Sequence, residues 1–132
     1  MIHYIVPPIV RNDDQGLGHY GAPRGSRTHR GIDYVVEPGA EVLSPCDGKV
    51  IKHGFCYPAP WDKYRYIEIE GVHGHRYRLF YVEPISHPHE MVKKGQRVAR
   101  AMDISEKYPG MTPNVHFEIK TPEGDYIDPD TL

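Results

Sequence analysis

Cysteine is scarce in this chain. There are two, Cys46 and Cys56, which limits any disulfide framework to a single bridge. Local pattern argues against even that one. Asp47-Gly48 is the strongest two-residue hairpin signal present, and it turns Cys46 back against Lys49. Cys56 then lies several residues along the return strand. At ~3.3 Å per residue that distance exceeds the ~4.4–6.8 Å Cα spacing a disulfide tolerates. Two free thiols are expected, as in a reducing compartment of synthesis. Long apolar runs are also missing. No segment approaches the ~18–20 consecutive apolar residues of a transmembrane helix, so a membrane is not expected as a partner. Charge of one sign is missing too. The chain carries 16 basic and 18 acidic residues, a net charge of -2, and exerts no global pull on nucleic acid. The opening MIHYIVPPIV lacks the basic start, apolar block and small-residue cleavage site of a secretory signal. Cytoplasmic synthesis is expected, with action there, after cell lysis, within an assembled particle such as a phage, or as a processed mature chain.

Helical periodicity is nearly absent. No window of about 12 residues holds an i, i+3, i+4, i+7 apolar stripe, and only Ala101 to Lys107 suggests a helical turn. What is present is turn chemistry between short alternating segments, with 13 Gly, 13 Pro and 10 Tyr in 132 residues. Ala40 to Ser44 and Lys49 to His53 read as a hairpin about Asp47-Gly48. Tyr64 to Glu70 and Arg76 to Glu83 read as a second, with a longer Gly-bounded loop. Lys94-Gly95 turns between short strands around Val92 and Val98. Asn114 to Ile119 reads as a strand, followed by a turn at Pro122 to Asp125. Turn signals every 8–12 residues predict an all-β fold, a small antiparallel β-sandwich or open barrel. Length and patterning fit one domain spanning residues 1–132. Residues 11–30 alternate little and are rich in Gly, Asp, Arg and His. They are expected to form a long irregular loop of the kind that carries function.

The chemistry is concentrated in two places. In TPNVHFEI, strand alternation puts Val115, Phe117 and Ile119 on a core face and Asn114, His116 and Glu118 on the other. In Arg27-Thr28-His29-Arg30-Gly31-Ile32-Asp33, a bend at Gly31 would let His29 and Asp33 converge. Read from residues alone, that pair fits an ordinary surface ion pair. It also fits two of three ligands that, with His116, leave one coordination position open, as in catalytic zinc sites. His73, His75, His87 and His89 fall in Gly- and Pro-punctuated loops and read as solvated surface.

These segments carry a resemblance. Arg27-x-His29-x-Gly31-x-Asp33, then Gly39-x-x-Val42-x-Ser44-Pro45-x-Asp47-Gly48-x-Val50, then Val92-Lys93-Lys94-Gly95-Gln96, then Val115-His116-Phe117-Glu118-Ile119 occur in the order seen in the lysostaphin-type zinc metallopeptidases. The resemblance covers about residues 24–129. It implies a small antiparallel sandwich with a groove, one zinc ion held by His29, Asp33 and His116, and a peptidoglycan crosslink peptide as substrate. Two departures stand out. Asn114 occupies the place of the first histidine of the family's His-x-His, and Glu83 the place of a second catalytic histidine. Glu83 is then expected to act as the base, with Asn114 holding the oxyanion; a fourth metal ligand is the other reading of Glu83. Arg27, Tyr20 and Tyr81 are expected to bind substrate. The stretch Leu79 to Ile85, and Lys107 to Met111 later, also resemble the leukocyte cell-derived chemotaxin branch of the family. That branch keeps the metal ligands without known peptidase activity. The alternative function is accordingly a zinc-stabilised module that binds a peptide or protein ligand without cleaving it.

Overall fold

Side-chain alternation decides the main strands. In Arg65–Gly71, Ile67 and Ile69 are fully buried. In Arg76–Phe80 the buried positions are Tyr77 and Leu79. In Asn114–Lys120 they include Val115, Phe117 and Ile119. The computed structural model describes residues 2–132. Two small hairpins come first, β1 (Asn12–Asp13) with β2 (Gly16–Leu17), and β3 (Pro23–Arg24) with β4 (Arg27–Thr28). They are followed by β5 (Ile32–Val35), β6 (Glu41–Leu43), β7 (Gly48–Phe55), β8 (Arg65–Gly71), β9 (Arg76–Phe80), β10 (Val82–Pro84), β11 (Met91–Val92), β12 (Arg97–Ala101), β13 (Asn114–Lys120) and β14 (Tyr126–Ile127).

The large sheet runs β11-β7-β8-β9-β13-β14, with β5 also paired to β13. The small sheet runs β10-β12-β6. Every pairing is antiparallel. The core lies between them, with Val42, Val82, Val98 and Ala99 facing Val50, Ile67, Leu79 and Phe117. Burying one such aliphatic side chain contributes ~1.5–3 kcal/mol. The cluster holds 19 buried residues. A core of that size is expected to fold without a metal, unlike a zinc finger.

The expected β8–β9 hairpin is present, and β14 returns onto β13 as the turn at Pro122 to Asp125 implies. The thiols of Cys46 and Cys56 are free. Other expectations are corrected. Asp47-Gly48 does not make a hairpin: β6 pairs with β12 in the small sheet, while β7 pairs with β8 and β11. Gly48 serves close approach instead, since a Cβ there would lie 2.2 Å from the Glu70 carbonyl oxygen. The Lys94-Gly95 turn likewise joins strands that pair elsewhere, β11 with β7 and β12 with β6 and β10. Residues 11–30 are not irregular throughout but contain the two small hairpins. After Ala101 the chain makes an isolated helical turn, Tyr108 N–H to Ile104 carbonyl at 3.0 Å, with no helix around it.

Candidate metal centre and its cleft

Two of the three candidate ligands are set side by side by sheet register. β5 and β13 pair so that Asp33 stands directly opposite His116. The third arrives over Gly31. A Cβ on Gly31 would meet the Phe117 carbonyl oxygen at 2.3 Å and His116 Cε1 at 2.9 Å. Only a glycine lets the chain pass this close to β13 and carry His29 back over it. The bend expected at Gly31 is therefore there for close approach, not for an unusual φ.

The donor atoms converge. His29 Nε2 lies 3.0 Å from His116 Nδ1 and 3.3 Å from Asp33 Oδ1. His116 Nδ1 lies 2.8 Å from Asp33 Oδ1. Bonds of ~2.0–2.2 Å about a tetrahedral ion put ligand atoms ~3.3–3.6 Å apart. The observed edges, 2.8, 3.0 and 3.3 Å, reach the lower end of that range or fall short of it by up to 0.5 Å. Three lone-pair donors this close repel one another unless a proton or a cation sits among them. No fourth His, Cys, Asp or Glu joins the group among the described residues.

Each ligand is also held from behind. His29 Nδ1 donates to the His19 carbonyl at 3.0 Å, which leaves Nε2 as the free donor atom. His116 is set the other way round: its Nε2 donates to Glu118 Oε1 at 2.9 Å, leaving Nδ1. Asp33 presents Oδ1 because Oδ2 accepts from the buried Arg11 at 3.1 Å and from Arg24 at 3.5 Å. Arg11 in turn donates to Asp13 at 2.7 Å, and Asp13 accepts from the Thr112 backbone, tying the N-terminal hairpin to the loop before β13. Such backing fixes tautomer and ring orientation in metal sites.

Electrostatics follow the contacts. Burial opposes charge on His116, but its bonds to Asp33 and Glu118 outweigh that and raise the imidazole to about 8. Burial likewise opposes ionisation of Asp33, yet His116 and His29 hold its carboxyl well below the usual carboxylate range. Glu118 is lowered against its own burial, chiefly by the bond to His116. The site is thus a ring of committed anions around two imidazoles, an arrangement that attracts a divalent cation. Replacing Glu118 with Gln should weaken zinc binding by about 10–100-fold, the usual cost of losing a carboxylate behind a histidine ligand, measured by competition with a chromogenic chelator.

These residues form the floor of a cleft of about 510 Å³. Arg24, Arg27 and Arg30 line it from the second small hairpin and the residue after His29. Tyr57, Tyr81 and Tyr108 line it from the β7–β8, β9–β10 and β12–β13 connections. Tyr57 bonds Tyr81 hydroxyl to hydroxyl at 2.8 Å, and also bonds the Tyr108 hydroxyl. Burial, then the tyrosine neighbours, raises both Tyr57 and Tyr81 well above the usual phenol range, so both stay neutral and protonated at neutral pH.

Of the residues singled out in the sequence, His29, Asp33, His116, Asn114, Arg27 and Tyr81 all reach this cleft. Asn114 is buried and donates one amide N–H to the Thr112 carbonyl at 2.8 Å, keeping a second. Two residues do not arrive. Glu83 sits on β10 in the small sheet, is 69% exposed and faces Arg100 at 3.8 Å, outside the cleft. The structure does not bring it to the donor group. The chain leaves the line of β9 at Tyr81, whose φ of 68° breaks the strand; Tyr77 and Leu79 face the core, and Phe80 is the residue packed on His116, ring centroids 5.1 Å apart. Tyr20 packs against the core and its hydroxyl donates to the Tyr126 carbonyl at 3.4 Å, away from the cleft lining. Sequence reading missed Arg11, Tyr57 and Tyr108. Arg11 has no local signal, because its partner is 22 positions away.

The profile of Peptidase family M23 matches residues 27–129. The chain belongs to that family. It is 30% identical over 106 residues to mouse Leukocyte cell-derived chemotaxin-2, covering 80% of this chain and 69% of that protein. The catalytic domain of the antimicrobial peptidase lysostaphin from Staphylococcus simulans superposes with a TM-score of 0.68 at 19% identity, covering 92% of this chain and 90% of that domain. This chain spans 47% of whole lysostaphin. A zinc-containing peptidase from Vibrio cholerae superposes with a TM-score of 0.67 at 22% identity, covering 97% of this chain and 39% of that one. The all-β fold of the M23 domain is thus shared with these peptidases, and the His29–Asp33–His116 group lies inside the matched segment.

Proposed function

We propose that this M23 domain is a zinc-dependent peptidase acting on peptides of the bacterial cell wall. The observation that carries the reading is a donor set of three, not four, at the floor of an open cleft. Structural zinc sites are closed by four protein ligands, whereas catalytic ones keep a position open. His29, Asp33 and His116 hold the ion, and Arg11, Glu118 and the His19 carbonyl keep the ligands aimed. Zinc held there supplies Lewis-acid polarisation of a peptide carbonyl. The second amide N–H of Asn114 is a hydrogen-bond donor left for the carbonyl oxygen as charge builds on it, and the Tyr81 hydroxyl could serve there only by giving up its bond to Tyr57.

One component is weak. With Glu83 outside the cleft, proton acceptance falls to no free carboxylate or imidazole. Glu118 holds His116 through Oε1 while its unpartnered Oε2 is sealed from solvent, and Asn114 cannot exchange a proton. Slow turnover is the expected consequence. That same feature favours a second reading, a metal-stabilised cleft that binds a peptide without cutting it. Zinc-loaded protein incubated with crosslinked muropeptides separates the two by mass spectrometry. The peptidase reading expects chelator-sensitive release of a new amine and a new carboxylate. Saturable binding with stoichiometric zinc and no product establishes the second reading instead.

A further inference from the structure

The charge of the cleft is opposite to that of the chain. The protein is net negative, at -2, yet four arginines line this one cavity. Its two acidic residues both have partners. Asp33 is taken by Arg11 and the two imidazoles; Glu118 accepts from His116 through Oε1, while its Oε2 is buried without a hydrogen-bond partner. Arg11 is neutralised by Asp13 and Asp33. Arg24 is partly engaged, with bonds to the Pro23 and Leu17 carbonyls and a long contact to Asp33. Arg27 and Arg30 are different. Both are exposed and line the cleft on either side of His29 in the chain. Neither comes within 4 Å of a carboxylate among the described residues; Arg30 acts on Glu118 from farther off, helping to lower its carboxyl, and rests its guanidinium over the Tyr126 ring at 4.5 Å. The tyrosines that complete the lining are hydrogen-bonded to one another and bring no negative charge.

We infer that the cleft selects peptides carrying a free carboxylate beside the amide held at the metal centre, and that Arg27 and Arg30 are the residues that read it. This rests on the reading of the site as a peptide-binding metal cleft and adds the substrate class. A guanidinium offers two parallel N–H donors that match a carboxylate and no comparable match for a primary amide. A stacked guanidinium such as that of Arg30 is also pre-oriented, so less freedom is lost when the anion binds. A neutral peptide, such as a run of glycines, would gain nothing from this lining.

The experiment compares two fluorescently labelled, C-terminally amidated peptides, Ala-Glu-Gly-Gly and Ala-Gln-Gly-Gly, binding to zinc-loaded protein by anisotropy. The Glu peptide is expected to bind about tenfold or more tightly, the scale of a charge-assisted bidentate pair. The preference should shrink as salt is raised. In the Arg27→Gln, Arg30→Gln double variant, both substitutions being on exposed side chains, the ratio should fall towards one with the melting temperature held. Equal affinities in the wild-type protein, or a ratio unmoved in the double variant, overturns the inference and leaves the metal cleft standing. Selective binding without cleavage upholds the inference and overturns the peptidase reading alone. Binding of neither peptide overturns both.

Discussion

Asn114→His raises the rate of peptide cleavage by about 10²–10⁴, the usual contribution of one positioned general base or acid, equivalent to ~2.7–5.5 kcal/mol of barrier. The position is right for it. Residue 114 shares a strand face with His116, two residues and thus ~6.6 Å along β13, and it lines the same cleft. The Thr112 carbonyl that now accepts the Asn114 amide at 2.8 Å can accept an imidazole N–H instead. The other ring nitrogen is then left as a proton acceptor towards the cleft. Burial and a neighbouring dication both disfavour an imidazolium there, so the ring is neutral and basic near pH 7. Asn114→Gln is the control. It keeps the amide chemistry and should give no gain. Single-turnover kinetics on a defined muropeptide reads both. A histidine variant that binds zinc and substrate yet turns over no faster shows that proton transfer does not limit this site.

The second large effect is loss of His116. His116→Ala removes one of three metal donors, takes one of several partners from Asp33, at 2.8 Å, and leaves the buried Glu118 without its hydrogen bond at 2.9 Å. Zinc affinity should fall by more than the 10–100-fold of an outer change, and cleavage should stop. Stability should fall by about 3–5 kcal/mol, because an uncompensated buried charge is what makes a broken pair expensive. The sandwich should nevertheless form, since its core of Ile67, Ile69, Leu79, Val115 and Phe117 is independent of the site. Chelator scans make the point sharply. Wild-type protein should lose melting temperature on chelation, by the mass-action link between binding and folding, while His116→Ala should show no further loss. A variant whose melting temperature still responds to chelator holds its metal elsewhere.

What could be read from the sequence was local. β13 announced both of its faces through alternation, and the structure keeps Val115, Phe117 and Ile119 inward with Asn114, His116 and Glu118 in the cleft. The β8–β9 hairpin was legible for the same reason, two alternating runs joined by a Gly-bounded loop. The bend at Gly31 was legible because His29 and Asp33 had no other way to meet. What failed was non-local or broke the period. Asp47-Gly48 carries a strong turn signal, but pairing partners are chosen by the two sheets, and β6 finds β12 more than 50 residues later. Glu83 was expected in the cleft from the resemblance, but at Tyr81 a left-handed residue moves the chain into the other sheet. Arg11 supports Asp33 only because the N-terminal segment runs beside β5, with Arg11 N–H donating to the Asp33 carbonyl at 2.8 Å. Nothing within ten residues of Arg11 encodes that meeting.

A zinc K-edge X-ray absorption measurement on protein purified from zinc-supplemented medium, and never exposed to chelator, addresses the coordination directly. The expected spectrum shows about one zinc per chain in a nitrogen and oxygen shell at ~2.0–2.1 Å, with the multiple-scattering signature of two imidazoles. An absent edge, or a sulfur shell at ~2.3 Å drawn from Cys46 or Cys56, contradicts a centre built from His29, Asp33 and His116.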